Sequence, residues 1–185
     1  MRWERLFADL DAQLAAELAA ASEAELTERI RHETGQHSLV DRLRAAQGDE
    51  VVVGLVPART LRGQVRDAGP DWLLLADLSQ AGETLVALAA VLWVEGLPRQ
   101  LLPPVSGRVW AGLDLRLALR GLARERSAVL LHLRDGVPLT GTVDRVYADH
   151  VDVALHAGDE PRRAGAVTAV RCVPLAAVTS IRRLG

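Results

Sequence analysis

Residues 129–155, VLLHLRDGVPLTGTVDRVYADHVDVAL, carry the clearest structural pattern in the chain. Three apolar-rich runs alternate with polar residues, and Asp135 and Gly136 separate the first two runs. An Asp-Gly pair between two alternating runs is a strong signal for a tight β-hairpin turn. The stretch therefore predicts a strand, a tight turn, a second strand, a polar loop and a third strand.

The same pattern occurs earlier, in residues 51–75, which read VVVGLVPARTLRGQVRDAGPDWLLL. A shift of 78 positions places Gly63 on Gly141. Further along, the Leu-Ala-Ala-Val of residues 88–91 matches that of residues 175–178, where the shift has grown to 87 positions. A longer loop accounts for the difference, because hairpin loops lengthen at small entropic cost. The sequence therefore predicts an internal duplication, with about five short strands in each copy.

The predicted fold class is mainly β with helices (α+β). Gly63 and Gly141 lie inside the second strand of each copy, where glycine usually marks a bend or a bulge. Short, bent strands of this kind favour two tandem five-stranded barrels, each preceded by a helix. We expect four segments in the chain: an N-terminal helical segment 1–47, a first barrel 48–97, a linker and helix 98–126, and a second barrel 127–185.

The N-terminal segment contains an apolar stripe at helical spacing, formed by Trp3, Phe7, Leu10, Leu14 and Leu18. Ser22 begins the motif Ser-Glu-Ala-Glu, a capping box that predicts a second helix ending at Gly35. Ser38 is expected to cap a short third helix. The stripe can pack on the second helix, on a barrel or on another chain, and we favour packing within the chain.

Residues 114–126 predict a further helix, because leucine, alanine and arginine are good helix formers. Arg116, Arg120 and Arg124 lie along one side of that helix. Basic side chains on one face can neutralise phosphate groups. The alternative is an ordinary solvated helix face, balanced by Asp114.

Composition excludes several classes of protein. The formal net charge is −2, so no global basic field indicates a nucleic-acid binder. The single cysteine, Cys172, excludes an intrachain disulfide and a zinc site built on several cysteines. The first residues lack the apolar core of a signal peptide, and no apolar run is long enough to span a bilayer. We therefore expect a cytoplasmic protein that does not enter a membrane.

Known catalytic signatures are absent from the sequence, including the P-loop and the G-x-S-x-G and H-E-x-x-H motifs. The aspartates stand in or beside predicted turns, where aspartate is favoured for backbone hydrogen bonding. His150, Asp152 and His156 are separated by even numbers of residues, which places them on one face of a strand with a period of two. One strand face cannot surround an ion. We expect no enzyme activity, no cofactor and no metal site.

The second copy resembles the Sm-like family of Sm, LSm and Hfq proteins. That family's first motif has an apolar strand, a turn with glycine, an apolar-x-Gly-x-apolar run and a polar loop with Asp and Asn. Its second motif has apolar residues followed by Arg-Gly. The corresponding segments here are residues 133–136 (LRDG), 139–143 (LTGTV), 149–153 (DHVDV) and 180–183 (SIRR). Other small barrels, including SH3-like and PRC barrels, share the same pattern of strands.

The resemblance implies a bent five-stranded barrel behind a helix, ring assembly by pairing of the fourth and fifth strands, and binding of single-stranded RNA. The family's RNA contacts fall on His150, Asp152 and Arg182. Asp152 stands where the family has Asn, and Arg183 stands where it has Gly. In the first copy the equivalent positions are Leu74 and Glu95.

Two functions remain open on the sequence alone. The first is binding of RNA or another single-stranded nucleic acid through the second barrel, with Tyr147 able to stack on a base. The alternative is a protein–protein assembly or scaffold module that uses the barrel edges and the N-terminal amphipathic helix, with a homo-oligomer or another protein as partner. The candidate nucleic-acid-binding residues are His150, Asp152, Arg182, Arg183, Tyr147, Arg120 and Arg124.

Overall fold

The computed structural model describes residues 2–78, 82–99, 108–158 and 165–184. The chain forms two compact units, Met1–His37 and Ser38–Gly185. The helices are α1 (Arg2–Gly35), α2 (Leu39–Ala45), α3 (Arg108–Gly112) and α4 (Leu115–Glu125). The strands are β1 (Glu50–Leu55), β2 (Arg59–Ala68), β3 (Trp72–Asp77), β4 (Glu83–Ala87), β5 (Val91–Glu95), β6 (Ala128–Leu133), β7 (Pro138–Val146), β8 (His150–Leu155), β9 (Ala169–Pro174) and β10 (Val178–Arg183). Most of the predicted linker, residues 100–107, lies outside the described residues.

The first unit is one continuous helix, so the predicted break at Ser22 was wrong. No glycine or proline occurs in residues 22–34, and nothing therefore interrupts the backbone hydrogen bonds of the helix. Among the stripe residues, Phe7, Leu14 and Leu18 are exposed, whereas the side chains of the other two lie outside the described part. Within the described residues no helix is long and apolar enough to cross a membrane.

Helix α2 begins at the predicted cap. The hydroxyl of Ser38 accepts from the Asp41 N–H over 3.2 Å, and the Asp41 carboxylate accepts from the Ser38 N–H over 2.9 Å. This reciprocal pair satisfies two backbone donors that helix geometry leaves unpaired. The helix packs on β2 and buries Leu43 completely. The Ser38 capping prediction is therefore confirmed.

All ten strands form one antiparallel sheet in the order β5-β1-β2-β3-β4-β10-β6-β7-β8-β9. The first half-sheet (β1–β5) pairs its first four strands in sequence and its fifth strand with its first. The second half-sheet (β6–β10) has the same order of pairing. The coarse prediction, mainly β with helices, is confirmed.

The two half-sheets also share their registers. Gly63 pairs with Val51, and Gly141, 78 positions later, pairs with Val129, 78 positions after Val51. The second strand of each half-sheet then carries an irregularity two residues beyond its glycine. A Cβ at Gly141 would collide with the carbonyl oxygen of Ala154. The glycine therefore permits close approach of two backbones, and the bulge itself lies beyond it.

Neither half-sheet closes into a barrel, so the prediction of two closed barrels was wrong. Among the described strands, β4 pairs with β3 and β10, and it does not return to β5. At this junction Arg182 of β10 pairs with Thr84 of β4, and Ile181 pairs with Leu85. The fourth strand of one half-sheet thus binds the fifth strand of the other. The result is an open sheet with β5 and β9 at its edges.

Strand β4 contributes to two hydrophobic cores. Leu85 and Ala87 belong to the core of the second half-sheet, whereas Val86 belongs to the core of the first. Successive side chains of a strand point to opposite faces, which explains this alternation. Helix α4, capped by Asp114 through the Leu117 N–H at 3.0 Å, packs on β7 in the second half-sheet. The shared strand makes the two half-sheets a single packed body.

Candidate functional site

Three predicted site residues meet where β7 turns into β8. The Tyr147 N–H donates to the His150 carbonyl over 2.9 Å, which brings the two side chains to the same side of the turn. Their rings stack with centroids 4.4 Å apart and planes inclined by 14°. The Tyr147 hydroxyl donates to Asp152 Oδ2 over 3.2 Å. The structure therefore assembles Tyr147, His150 and Asp152 into one group, the turn cluster.

Two further residues belong to the turn cluster. Asp149 Oδ1 lies 2.7 Å from His150 Nδ1, and this hydrogen bond holds the pKa of the exposed Asp149 carboxyl below its ordinary value. Cys172 of β9 lies directly opposite Asp152 of β8. Sequence reasoning missed Cys172, because the length of the segment between β8 and β9 does not reveal the register in which the two strands pair.

The predicted grouping of His156 with His150 and Asp152 was wrong. Strand β8 ends at Leu155, so the alternation of side chains stops before His156. The His156 ring is buried, with its Nε2 2.7 Å from Thr142 Oγ1 and its Nδ1 2.7 Å from the Ala157 carbonyl oxygen. Both ring nitrogens therefore have protein partners.

A second group of polar residues lies at the junction of the half-sheets. A pocket of about 210 Å³ is lined by residues from both, including Arg59, His132 and Thr179. Arg59 Nη1 donates to Ser180 Oγ over 2.8 Å. Arg182, predicted from the Sm-like resemblance, is close enough to act electrostatically on both Arg59 and His132. We call Arg59, His132 and Arg182 the junction cluster.

The junction cluster concentrates positive charge. Partial burial and then Arg182 lower the pKa of Arg59, whereas the opposite charge of Asp77 raises it. Partial burial, Arg59 and Arg182 all lower the pKa of His132. Desolvation and like charge both disfavour the cationic forms of Arg59 and His132. Arg59 nevertheless keeps its proton at neutral pH, because a guanidinium group is a very weak acid. An anion in the pocket would therefore meet the Arg59 guanidinium group, with the positive charge of Arg182 nearby.

Sequence reasoning did not connect Arg59 or His132 with Arg182. These residues belong to β2, β6 and β10, which are far apart in the sequence, and the fold brings them together at the junction of the half-sheets. No spacing in the sequence encodes that proximity. His132 is half-buried in its strand.

The remaining predicted residues lie on or near α4. Arg183 forms an ion pair with Glu125, with 3.1 Å between Nη1 and Oε2. Arg120 and Arg124 are exposed on the helix. Arg116 instead turns toward Asp114, 2.6 Å away, and also donates to the Ala148 carbonyl oxygen over 3.4 Å. The predicted basic residues therefore divide between the junction and the helix.

The chain was compared with family models, curated proteins and solved structures. No family model, no curated protein and no solved structure matches it. The seven predicted binding residues occupy three places, namely the turn cluster, the junction cluster and the region of α4. Function is therefore inferred from the side chains at these places.

Proposed function

We propose that this chain is a non-enzymatic protein of two tandem Sm-like copies that binds single-stranded nucleic acid, with RNA as the expected ligand. The observation that carries the proposal is the junction cluster. Arg59 and His132 line a pocket between the two half-sheets, and Arg182 lies near enough to both to act on their charges. Arginine guanidinium groups match phosphate oxygens in geometry as well as in charge.

The electrostatics of the junction cluster favour an anionic ligand. Arg59 and Arg182 repel each other, and a phosphate group placed between them offsets that repulsion. Asp77 supplies part of the compensating charge. Each guanidinium group can also donate to phosphate oxygens, so a ligand with several phosphates in a row suits this cluster better than a single carboxylate does.

The strand pairing supports the Sm-like part of the proposal. The resemblance implies that the fourth strand of one copy pairs with the fifth strand of the next. The β4–β10 pairing has this form within one chain, and Arg182 lies in it. The arginine of the family's second motif therefore lies at the boundary between two copies.

The turn cluster provides a second surface for the same ligand. Tyr147 is partly exposed, and one face of its ring is covered by His150. The aromatic rings of tyrosine and histidine stack on nucleic-acid bases with little dependence on sequence. We expect this contact to contribute less than the junction cluster, because Asp149 and Asp152 bring negative charge beside it.

Fluorescence anisotropy with short labelled U-rich and A-rich RNA oligomers at low salt tests the proposal. The double substitution Arg59→Ala with Arg182→Ala should weaken binding at least tenfold, since two phosphate-binding cations are removed. The slope of log affinity against log salt should fall by about 0.7 for each phosphate that the variant no longer neutralises. Adding Arg124→Ala to the double variant measures the contribution of α4.

Arg62→Ala is the matched control. Arg62 lies on the same strand as Arg59, but it is exposed and forms an ion pair with Glu50. Its removal should leave the affinity within about twofold of the original, because Arg62 does not line the pocket and Glu50 already offsets its charge. Undetectable binding at low salt, or equal affinity of the double variant and the control, contradicts the proposal.

One observation favours a second candidate function, a protein–protein assembly module. Among the described strands, β5 pairs only with β1 and β9 pairs only with β8, so each has an unpaired edge. Leu92, Trp93 and Val170 are exposed on these two edge strands. Unpaired, apolar edges are templates for pairing with another chain. Light scattering after size-exclusion chromatography tests this candidate. The unmodified protein should be an oligomer, and Leu92→Lys should dissociate it if the oligomer pairs through its edge strands. A monomeric unmodified protein contradicts this second function.

A further inference from the structure

Three potential metal ligands converge on the solvent-facing side of β8 and β9. Val151 and Val153 are completely buried, so His150 and Asp152 occupy the opposite face of β8. Cys172 lies opposite Asp152 on β9 and is exposed. The period of the strand and the register of the pair therefore place an imidazole, a carboxylate and a thiol side by side.

The ligand atoms of these three residues all lie within 4.8 Å of one another. We propose that His150, Asp152 and Cys172 bind a divalent transition-metal ion of the zinc type. A tetrahedral zinc site with bonds of about 2.0–2.3 Å keeps its ligand atoms roughly 3.5 Å apart. Closing the site therefore needs movements of about 1 Å in side chains that are not buried.

The surroundings hold two of the ligands in orientations that suit a metal. The hydrogen bond between His150 Nδ1 and the Asp149 carboxylate favours a proton on Nδ1, which leaves the lone pair on Nε2. Histidines that bind metals commonly donate their other N–H to a carboxylate in this way. The Tyr147 hydroxyl donates to Asp152 and its ring stacks on His150, which restrains both side chains.

The donor set selects the class of ion. Thiolate and imidazole ligands favour zinc and similar ions, whereas magnesium and calcium favour oxygen ligands alone. Three protein ligands leave a fourth tetrahedral position for water or another ligand. The sequence-based expectation of no metal site considered His150, Asp152 and His156, which come from one stretch of chain. Cys172 adds a ligand from a second strand.

This inference does not rest on nucleic-acid binding, and its test uses different residues from those of the junction cluster. The full chain is stripped with a chelator, kept reduced and titrated with Zn²⁺ by calorimetry and with Co²⁺ by absorbance. We expect one ion per chain, and a thiolate-to-cobalt charge-transfer band that disappears in Cys172→Ser. Cys172 is the only cysteine, so any such band has one source.

His150→Gln and Asp152→Asn should each weaken Zn²⁺ binding at least tenfold. Asp149→Asn should weaken it about 10- to 100-fold, the range typical for groups that orient a metal ligand. His32→Gln is the control and should leave Zn²⁺ binding unchanged. His32 is exposed on α1, and its ring forms a hydrogen bond with Gln36 one turn along the same helix. Absence of the cobalt band in the unmodified protein overturns the proposal. So does Zn²⁺ binding of unchanged affinity in Cys172→Ser and His150→Gln.

Discussion

Arg59 of the first half-sheet donates a hydrogen bond to Ser180 of the second, over 2.8 Å. Ser180 is completely buried, and Arg59 is the donor that reaches its hydroxyl. The contact joins residues 121 positions apart in the sequence. It therefore fixes a guanidinium group at the boundary between the half-sheets.

Ser180→Ala should lower the free energy of unfolding by about 1.5–3 kcal/mol, the range for a hydrogen bond to a charged group. Urea unfolding followed by tryptophan fluorescence measures the change. Ser127→Ala is the control, because Ser127 bonds to Glu125 at the surface over 3.4 Å and its removal should cost less than about 0.5 kcal/mol. Equal stability of Ser180→Ala and the unmodified protein would show that the Arg59 hydrogen bond contributes nothing to the junction.

Stability should depend on pH through His132. The folded-state pKa of this ring lies below 6.5, because burial, Arg59 and Arg182 disfavour its charged form. The unfolded chain therefore binds more protons than the folded chain as the pH falls below about 6.5, and the folded state loses stability there. His132→Gln should remove this part of the acid sensitivity.

The measurement is the difference in unfolding free energy between the unmodified protein and His132→Gln, taken above about pH 7 and below about pH 6. The difference should shift in favour of the glutamine variant at the lower pH. His32→Gln, at an exposed position on α1, should show no such shift. A difference that is independent of pH contradicts the assignment of His132 to a positively charged site.

Two glycine substitutions should have opposite effects on stability. A Cβ at Gly141 would collide with the Ala154 carbonyl oxygen, so Gly141→Ala should cost about 3 kcal/mol as the paired strands separate. Gly121 lies inside α4 with no atom within 4 Å of an added Cβ. Gly121→Ala should therefore stabilise the protein by about 0.5–1 kcal/mol. Thermal unfolding of both variants checks the signs, and destabilisation by Gly121→Ala contradicts the helix assignment.

Leu85→Ala should weaken the second half-sheet (β6–β10), although Leu85 itself lies in a strand of the first. Leu85 is in β4, but its side chain packs in the core of β6–β10. The substitution should cost about 3 kcal/mol, as is usual for a buried leucine. Hydrogen exchange should then show reduced protection in β6, β7 and β8. Loss of protection confined to β1–β5 would contradict the shared core.

Local structure was largely predictable from the sequence. The Asp135-Gly136 hairpin forms as expected, with Gly136 at a φ of +83° and its N–H donating to the Leu133 carbonyl over 3.0 Å. The Ser38 cap of α2 also forms as expected from a short local pattern. These features depend on neighbouring residues, whose preferences act over one turn or one strand pair.

The arrangement of the two half-sheets was not predictable in the same way. Strand β4 carries no local mark that distinguishes pairing with β10 from pairing with β5, since both partners are short strands of similar length. The junction cluster depends on that choice, so Arg59 and His132 acquired a shared role only in the folded structure. Cys172 lies beside His150 and Asp152 because of the register in which β8 and β9 pair. The length of the segment between these two strands does not reveal that register.

Strand β10 follows the other nine strands in the sequence, yet it lies in the interior of the sheet between β4 and β6. Among the described strand pairings only β4–β10 joins the two half-sheets, so during synthesis, which proceeds from the N-terminal side, this pairing cannot form until β10 has emerged. Until that moment β4 presents a bare edge that another nascent chain can also pair with. The time between the emergence of β4 and that of β10 therefore sets how long this edge stays open to pairing with another chain.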